Sequence, residues 1–249
     1  MITTHLKNSN GRIAAYIQEA TASPVGTLVC VHGGPGGDHH GNGGIFTDIA
    51  EFCGDLGYHV VQFDMFGAGD SDGTPAQITL QTQFADYQTV LEFSKANFPV
   101  PVHVVGESMG ATIAALDWRR DVASHVLLWP AFDLRDTDLR PYLHDPWRSL
   151  LATQGYLVDD GLTIGKAFVD EIASFDFAPC FKLPTSPCLL IHGKGDGSVP
   201  FNQSLTAVAQ ASGECVLFAH PTGDHGLQRP NERDLTREAI KWWLARPAS

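Results

Sequence analysis

Val102-His103-Val104-Val105-Gly106-Glu107-Ser108-Met109-Gly110-Ala111-Thr112-Ile113 is the stretch whose reading decides the fold. The β-branched run 102–105 follows a break marked by Pro99 and Pro101 and predicts a buried strand, while 109–119 predicts a helix. Residues 106–110 between them fit G-x-S-x-G. That string is weak alone and specific where a strand precedes it and a helix follows. A tight strand-to-helix turn pushes the serine oxygen out of the sheet, and glycine two positions either side lets the backbone bend sharply. The helix N-terminus behind it offers unpaired N–H groups and a dipole that favours developing negative charge. A glycine-flanked serine that merely caps a helix is the competing reading.

Working outward, short apolar runs alternate with amphipathic stretches. Strands are predicted at 26–31, 58–63, 125–129, 188–192 and 215–218, and helices at 45–56, 80–97, 201–211 and 231–245. Gly57 stands where a helix end tolerates the left-handed conformation. Strand-helix-strand alternation means parallel pairing with right-handed crossovers, hence an α/β, doubly wound, mostly parallel sheet. The rhythm lapses over 131–187, which is rich in Asp, Pro and aromatics, and then resumes. The expected organisation is one domain over 1–249 with a small lid insertion at 131–187.

A serine at its free pKa needs a base, and the base needs a carboxylate to orient it. Asp196 is expected in the loop after the strand 188–192, and His225, in Gly223-Asp224-His225-Gly226, in the loop after the strand 215–218. Both loops lie at the carboxyl ends of parallel strands, the edge that carries Ser108 and where open α/β sheets build their sites. His192 is expected to be buried at a strand end, and Asp224 competes with Asp196 only weakly, since a residue adjacent to the histidine rarely turns to meet its ring. After the first long strand, His32-Gly33-Gly34-Pro35-Gly36-Gly37 can bring a backbone N–H to the serine. The oxyanion hole is therefore assigned to the amides of Gly34 and Met109, each worth about 3–4 kcal/mol. A phosphate-binding role fits poorly, because neither P-loop nor G-x-G-x-x-G spacing is present.

Composition excludes other classes. Sixteen Lys and Arg against 28 Asp and Glu give a net charge of −12, which repels nucleic acid and anionic bilayers. Five scattered cysteines form no C-x-x-C pair, and Asp38-His39-His40 lacks further ligands at metal spacing, so neither metal nor cofactor is expected. The N-terminal residues contain no apolar run for a signal peptide and no stretch reaches the length of a membrane helix, which predicts a cytoplasmic chain.

With these elements in order, the chain resembles the α/β-hydrolase superfamily over essentially its whole length. The resemblance rests on 32–37, 106–110, Asp196 with Val199-Pro200, 223–226, and the D-x-x-G-x-G-x-S-D-G loop at 64–73. Within the superfamily it is most similar to bacterial carboxylesterases of the cinnamoyl (feruloyl) type, while His32-Gly33-Gly34-Pro35-Gly36 resembles the proline iminopeptidases. The resemblance implies a serine esterase acting on a small or aromatic acyl ester, with Ser108, Asp196 and His225 as the triad. Two alternatives stand beside it: an aminopeptidase or amidase using Asp133, Asp136, Asp138 or Glu171 for a substrate amine, and a non-catalytic ligand-binding homologue. Trp129, Phe132, Tyr142, Trp147, Tyr156, Phe168, Phe175 and Phe177 are candidate lining of the lid, the first four put forward as substrate contacts. Packing of the lid onto the domain is the competing role for each.

Overall fold

Every residue of Gly26–Val31 is buried, as a strand covered on both faces requires. The structure, a computed structural model, describes residues 1–98, 100–118 and 121–246. The chain begins with β1 (Ile2–Lys7) and β2 (Arg12–Gln18), an antiparallel pair, before β3 (Gly26–Val31). There follow α1 (Ile45–Asp55), β4 (Tyr58–Phe63), α2 (Leu80–Asn97), β5 (Val102–Glu107), α3 (Met109–Ala115) and β6 (Ser124–Leu128). An excursion then contributes α4 (Trp147–Gln154), the hairpin β7 (Tyr156–Asp159) and β8 (Leu162–Gly165), and α5 (Lys166–Ser174). The chain returns through β9 (Cys188–Gly193), α6 (Asn202–Gln210), β10 (Cys215–His220) and α7 (Pro230–Leu244).

The main sheet runs β1-β2-β4-β3-β5-β6-β9-β10. β2 pairs antiparallel with β4, and from β4 to β10 the pairing is parallel. The doubly wound, mostly parallel sheet expected from the alternation is the one observed. Successive side chains of each strand enter opposite layers. Val29, Val31, Val104 and Leu127 meet α2, α3 and the excursion. Leu28, Cys30, Val105 and Val126 meet α1 and α7.

Helix α1 buries Ile45, Phe46, Ile49, Ala50 and Cys53 along one stripe and gives way to Gly57 at φ 89°, as the sequence led one to expect. Helix α2 starts at Thr79, whose hydroxyl accepts from Thr82 N–H at 3.0 Å. The Glu171 carboxylate, reaching over from α5, accepts from Leu80 N–H at 2.6 Å and favours the same helix end. One expectation needs correction in extent. The helix after Ser108 ends at Ala115 because its last turn tightens, with Leu116 N–H shared between Thr112 and Ile113 carbonyls; Arg119 lies outside the described residues, as does Pro99. The β1–β2 hairpin was not anticipated, since it stands outside the strand-helix rhythm.

Residues 131–187 leave the sheet after β6 and rejoin it at β9, yet they do not build a core of their own. Phe132, Leu134, Leu151, Leu157, Ile164, Phe168 and Phe177 belong to the same buried cluster as Val29 and Val104. One close approach is decisive for the fold. A Cβ on Gly110 would stand 2.0 Å from Val31 O and 2.7 Å from His32 O, backbone atoms that cannot step aside. Gly110→Ala is therefore expected to cost at least about 2–3 kcal/mol, a fall of about 5–10 °C in melting temperature for a chain of this size. A thermal melt within about 1 °C of the parent would contradict this packing.

Candidate active site

Ser108 stands between the end of β5 and the start of α3 at φ 49° and ψ −120°. A non-glycine residue held there is strained, and the surrounding backbone over-determines it. Ser108 N–H donates to Leu128 O at 2.9 Å, and Ser108 O accepts from Ala111 and Ala131 N–H at 3.1 Å each. Gly33 passes so near that a Cβ on it would lie 3.2 Å from Ser108 Cβ. The elbow anticipated from G-x-S-x-G is thus locked between β6 and the glycine loop.

The loop after β9 carries Asp196, whose side chain is fully buried. Its Oδ2 accepts from His225 Nδ1 at 2.8 Å and from His192 Nε2 at 3.1 Å. Its Oδ1 accepts from Ser198 and Val199 N–H at 2.9 and 2.8 Å. Burial pushes this carboxyl up, but the bonds from His192 and His225, the His225 charge and the Val199 N–H outweigh it and hold it well below the usual carboxylate range. With Nδ1 donating to Asp196, His225 keeps Nε2 free as a base. Trp129 meets the His225 ring edge-on at 6.2 Å.

His192 is buried at the end of β9, as expected, and has a task the sequence reading missed. Its Nε2 faces two acceptors, Asp196 and Val199 O at 3.1 Å, so it carries the proton there, while Nδ1 accepts from Ser204 Oγ at 2.8 Å. It orients the acid. Asp224 points away and pairs with Arg229 at 3.2 Å, on the surface.

The glycine loop is held by its own histidine. His32 Nδ1 donates to Gly33 O at 2.6 Å and Nε2 accepts from Met65 N–H at 3.0 Å. Burial lowers its pKa, keeping that ring neutral. Farther along, His39 Nδ1 bonds Asp64 at 2.8 Å and stacks on Tyr16 at 3.7 Å, while His40 turns to Thr47. These histidines anchor the loop, and no group of three or more His, Cys, Asp or Glu among the described residues is arranged around a metal position. Neither Gly34 nor Met109 N–H donates to a protein acceptor among the described residues, so both amides are available.

Ser108 and His225 open onto one pocket of about 370 Å³. Its walls are the loop 33–38, Gly41, Asn42, Glu107 and, from the excursion, only Asp138, Leu139 and Leu162. Three acidic residues (Asp38, Glu107 and Asp138) and, among the described residues, no lysine or arginine line it. The four aromatics put forward as contacts are not among these walls. Trp129 and Phe132 are buried in the core, and Tyr142 packs on Trp147 at 5.8 Å with its hydroxyl on Asp159. Tyr142 and Trp147, both half-buried, also pack against the core cluster that the excursion shares with the sheet. Of the acids considered for an amine, Asp138 alone lines the pocket; Asp133 pairs with Arg135 and Glu171 caps α2.

Comparison with known proteins gives a consistent picture. Residues 22–159 match the family described as serine aminopeptidase, S33. The mouse (Mus musculus) lysophosphatidylserine lipase ABHD12 is 26% identical over 206 residues, 79% of this chain and 48% of that protein. The chain thus spans about half the length of the curated relatives it matches. Among solved structures, a putative hydrolase from Agrobacterium vitis S4 superposes with a TM-score of 0.78 at 26% identity, over 97% of this chain and 98% of that one. Est1E from Butyrivibrio proteoclasticus with bound ferulic acid has the same fold, with a TM-score of 0.80 at 21% identity over 97% and 98% of the chains. No helix among the described residues is long and apolar enough to cross a membrane.

Proposed function

This chain belongs to the serine aminopeptidase S33 family of α/β-hydrolases, and on that premise we propose that it is a carboxylic-ester hydrolase working through an acyl-enzyme. The observation that carries the reading is the 2.8 Å bond from His225 Nδ1 to buried Asp196, with His225 and Ser108 opening onto one pocket under the Gly34 loop. In this mechanism Ser108 Oγ attacks the ester carbonyl as His225 Nε2 takes its proton. Asp196 holds the tautomer and stabilises the imidazolium, and the Gly34 and Met109 amides receive the oxyanion. His225 then returns the proton to the leaving alcohol, and water repeats the sequence to release the acid.

The substrate proposed is a neutral ester with a small or aromatic acyl group. Leu139 and Leu162 are apolar walls available to it, and three acidic residues, with no cation among the described residues lining the pocket, oppose an anionic substrate. Residues 131–187 act as a small lid that supplies Asp138, Leu139 and Leu162 to this site. Asp138 also favours a second reading, an aminopeptidase or amidase in which that carboxylate holds a substrate ammonium.

Initial rates on nitrophenyl esters, methyl cinnamates and a prolyl amide, with and without an added carboxylate on the acyl chain, separate the readings. The expected result is ester turnover well above amide turnover, and neutral esters preferred by about tenfold or more over their anionic counterparts, a difference of roughly 1.4 kcal/mol. Amide turnover exceeding that of every ester would move the protein to the peptidases. Failure of a fluorophosphonate to label Ser108, with no turnover on any member, would indicate a binding role instead.

A further inference from the structure

We propose that Glu107, the residue before the nucleophile, is a positioning residue that ties the oxyanion loop to the serine elbow. The proposal rests on the serine-hydrolase reading above. Glu107 ends β5, is 2% exposed and forms part of the pocket wall. Its Oε1 accepts from Gly33 N–H at 3.1 Å and from Asn42 N–H at 3.0 Å, and its Oε2 lies 3.0 Å from the same Asn42 nitrogen. These two amides bracket the loop that carries Gly34. One carboxylate, a single peptide unit from Ser108, therefore closes both ends of that loop.

From the other side, Arg233 of α7 donates through Nη2 to Asn42 O at 2.8 Å and to Gly43 O at 3.2 Å. The loop is held between a buried carboxyl group and a half-buried guanidinium. A buried carboxylate that merely filled space would be costly, whereas one whose oxygens each meet a backbone N–H is retained for the geometry it enforces.

Burial raises the Glu107 carboxyl, opposed by the Gly33 and Asn42 amides and by the charges of His225 and Arg233. The contribution of Glu107 lies in where it holds Gly34.

Two variants separate geometry from charge. Glu107→Gln retains an oxygen for both amides and removes the charge. It should keep kcat within about fivefold of the parent, because the loop stays tied at both ends. Glu107→Ala frees the loop and should lower kcat by about 100-fold, the scale of a lost oxyanion donor, with KM changed less than threefold. Wild-type protein is first labelled with a fluorophosphonate and assayed on its best ester. An unlabelled, inactive parent would overturn the serine-hydrolase reading itself. An active, labelled parent whose folded Ala variant keeps its kcat, or whose Gln variant loses as much as the Ala variant, would overturn the role of Glu107 alone. Should Glu107→Ala not fold, Glu107→Asp, too short to reach both Gly33 and Asn42, takes its place with the same fall in kcat expected.

Discussion

Ser108→Ala is expected to lower kcat/KM on the best ester by a factor of about 10⁴ or more, because the members of a triad act as a unit and only oxyanion-hole and binding contributions survive the loss of one. The fold should not register the change. The backbone of Ser108 is held by Leu128, Ala111 and Ala131, none of which needs the hydroxyl. Alanine at φ 49° carries the same steric strain as serine. The melting temperature should therefore stay within about 2 °C, and covalent labelling by a fluorophosphonate should disappear. A variant that keeps a tenth or more of the parent rate would remove Ser108 from the mechanism.

The second large effect is expected at the acid. Asp196→Asn should reduce kcat by about 10⁴, the scale seen when an orienting carboxylate is replaced in a triad, and the local hydrogen bonds show why no rotamer rescues it. All four groups around the carboxylate are donors: His192 and His225 on Oδ2, Ser198 and Val199 N–H on Oδ1. A carboxamide offers one oxygen and one NH₂. Whichever way it turns, its NH₂ faces two N–H groups, so either His225 loses the partner that fixes its tautomer or the loop loses its turn. A stability change with a defined pH dependence accompanies this. The folded-state pKa of Asp196 is depressed, so its contribution is fully present above the ordinary carboxyl value of about 3.9 and is lost as pH falls through and below it. The melting temperatures of parent and variant should differ most near pH 7 and converge towards pH 3. Equal gaps at the two pH values, or a kcat within tenfold of the parent, would contradict the arrangement.

How far the chain could be read follows from the range of each interaction. Short apolar runs at 26–31 and 102–105, a helix start after Ser108 and the order of serine, aspartate and histidine are signals carried within a few residues. They led to the observed sheet and to the three side chains that the structure draws to one edge. One short-range signal went unused: Asp160-Gly161, at φ 45° and 79°, turns the β7–β8 hairpin and is the dipeptide such turns favour. The β1–β2 pair escaped for a different reason. β1 is an edge strand with exposed and half-buried residues, and its identity depends on register with β2 rather than on its own pattern.

The sequence by itself determined the α/β topology, the elbow at Ser108 and the candidates Asp196 and His225, because glycine geometry, short apolar runs and chain order are local and obey few rules. Only the tertiary structure decided which walls the pocket has. Glu107 meets Gly33 across 74 positions and Asn42 across 65, His192 finds Asp196 through the turn of its loop, and Asp138 reaches the site because the excursion folds back over it. Trp129, Phe132, Tyr142 and Trp147 went to packing instead. The physical reason is the same in each case. An aromatic or a carboxylate has the same local signature whether it lines a site or secures a layer. The register of distant elements, set by burying a shared core, chooses between the two.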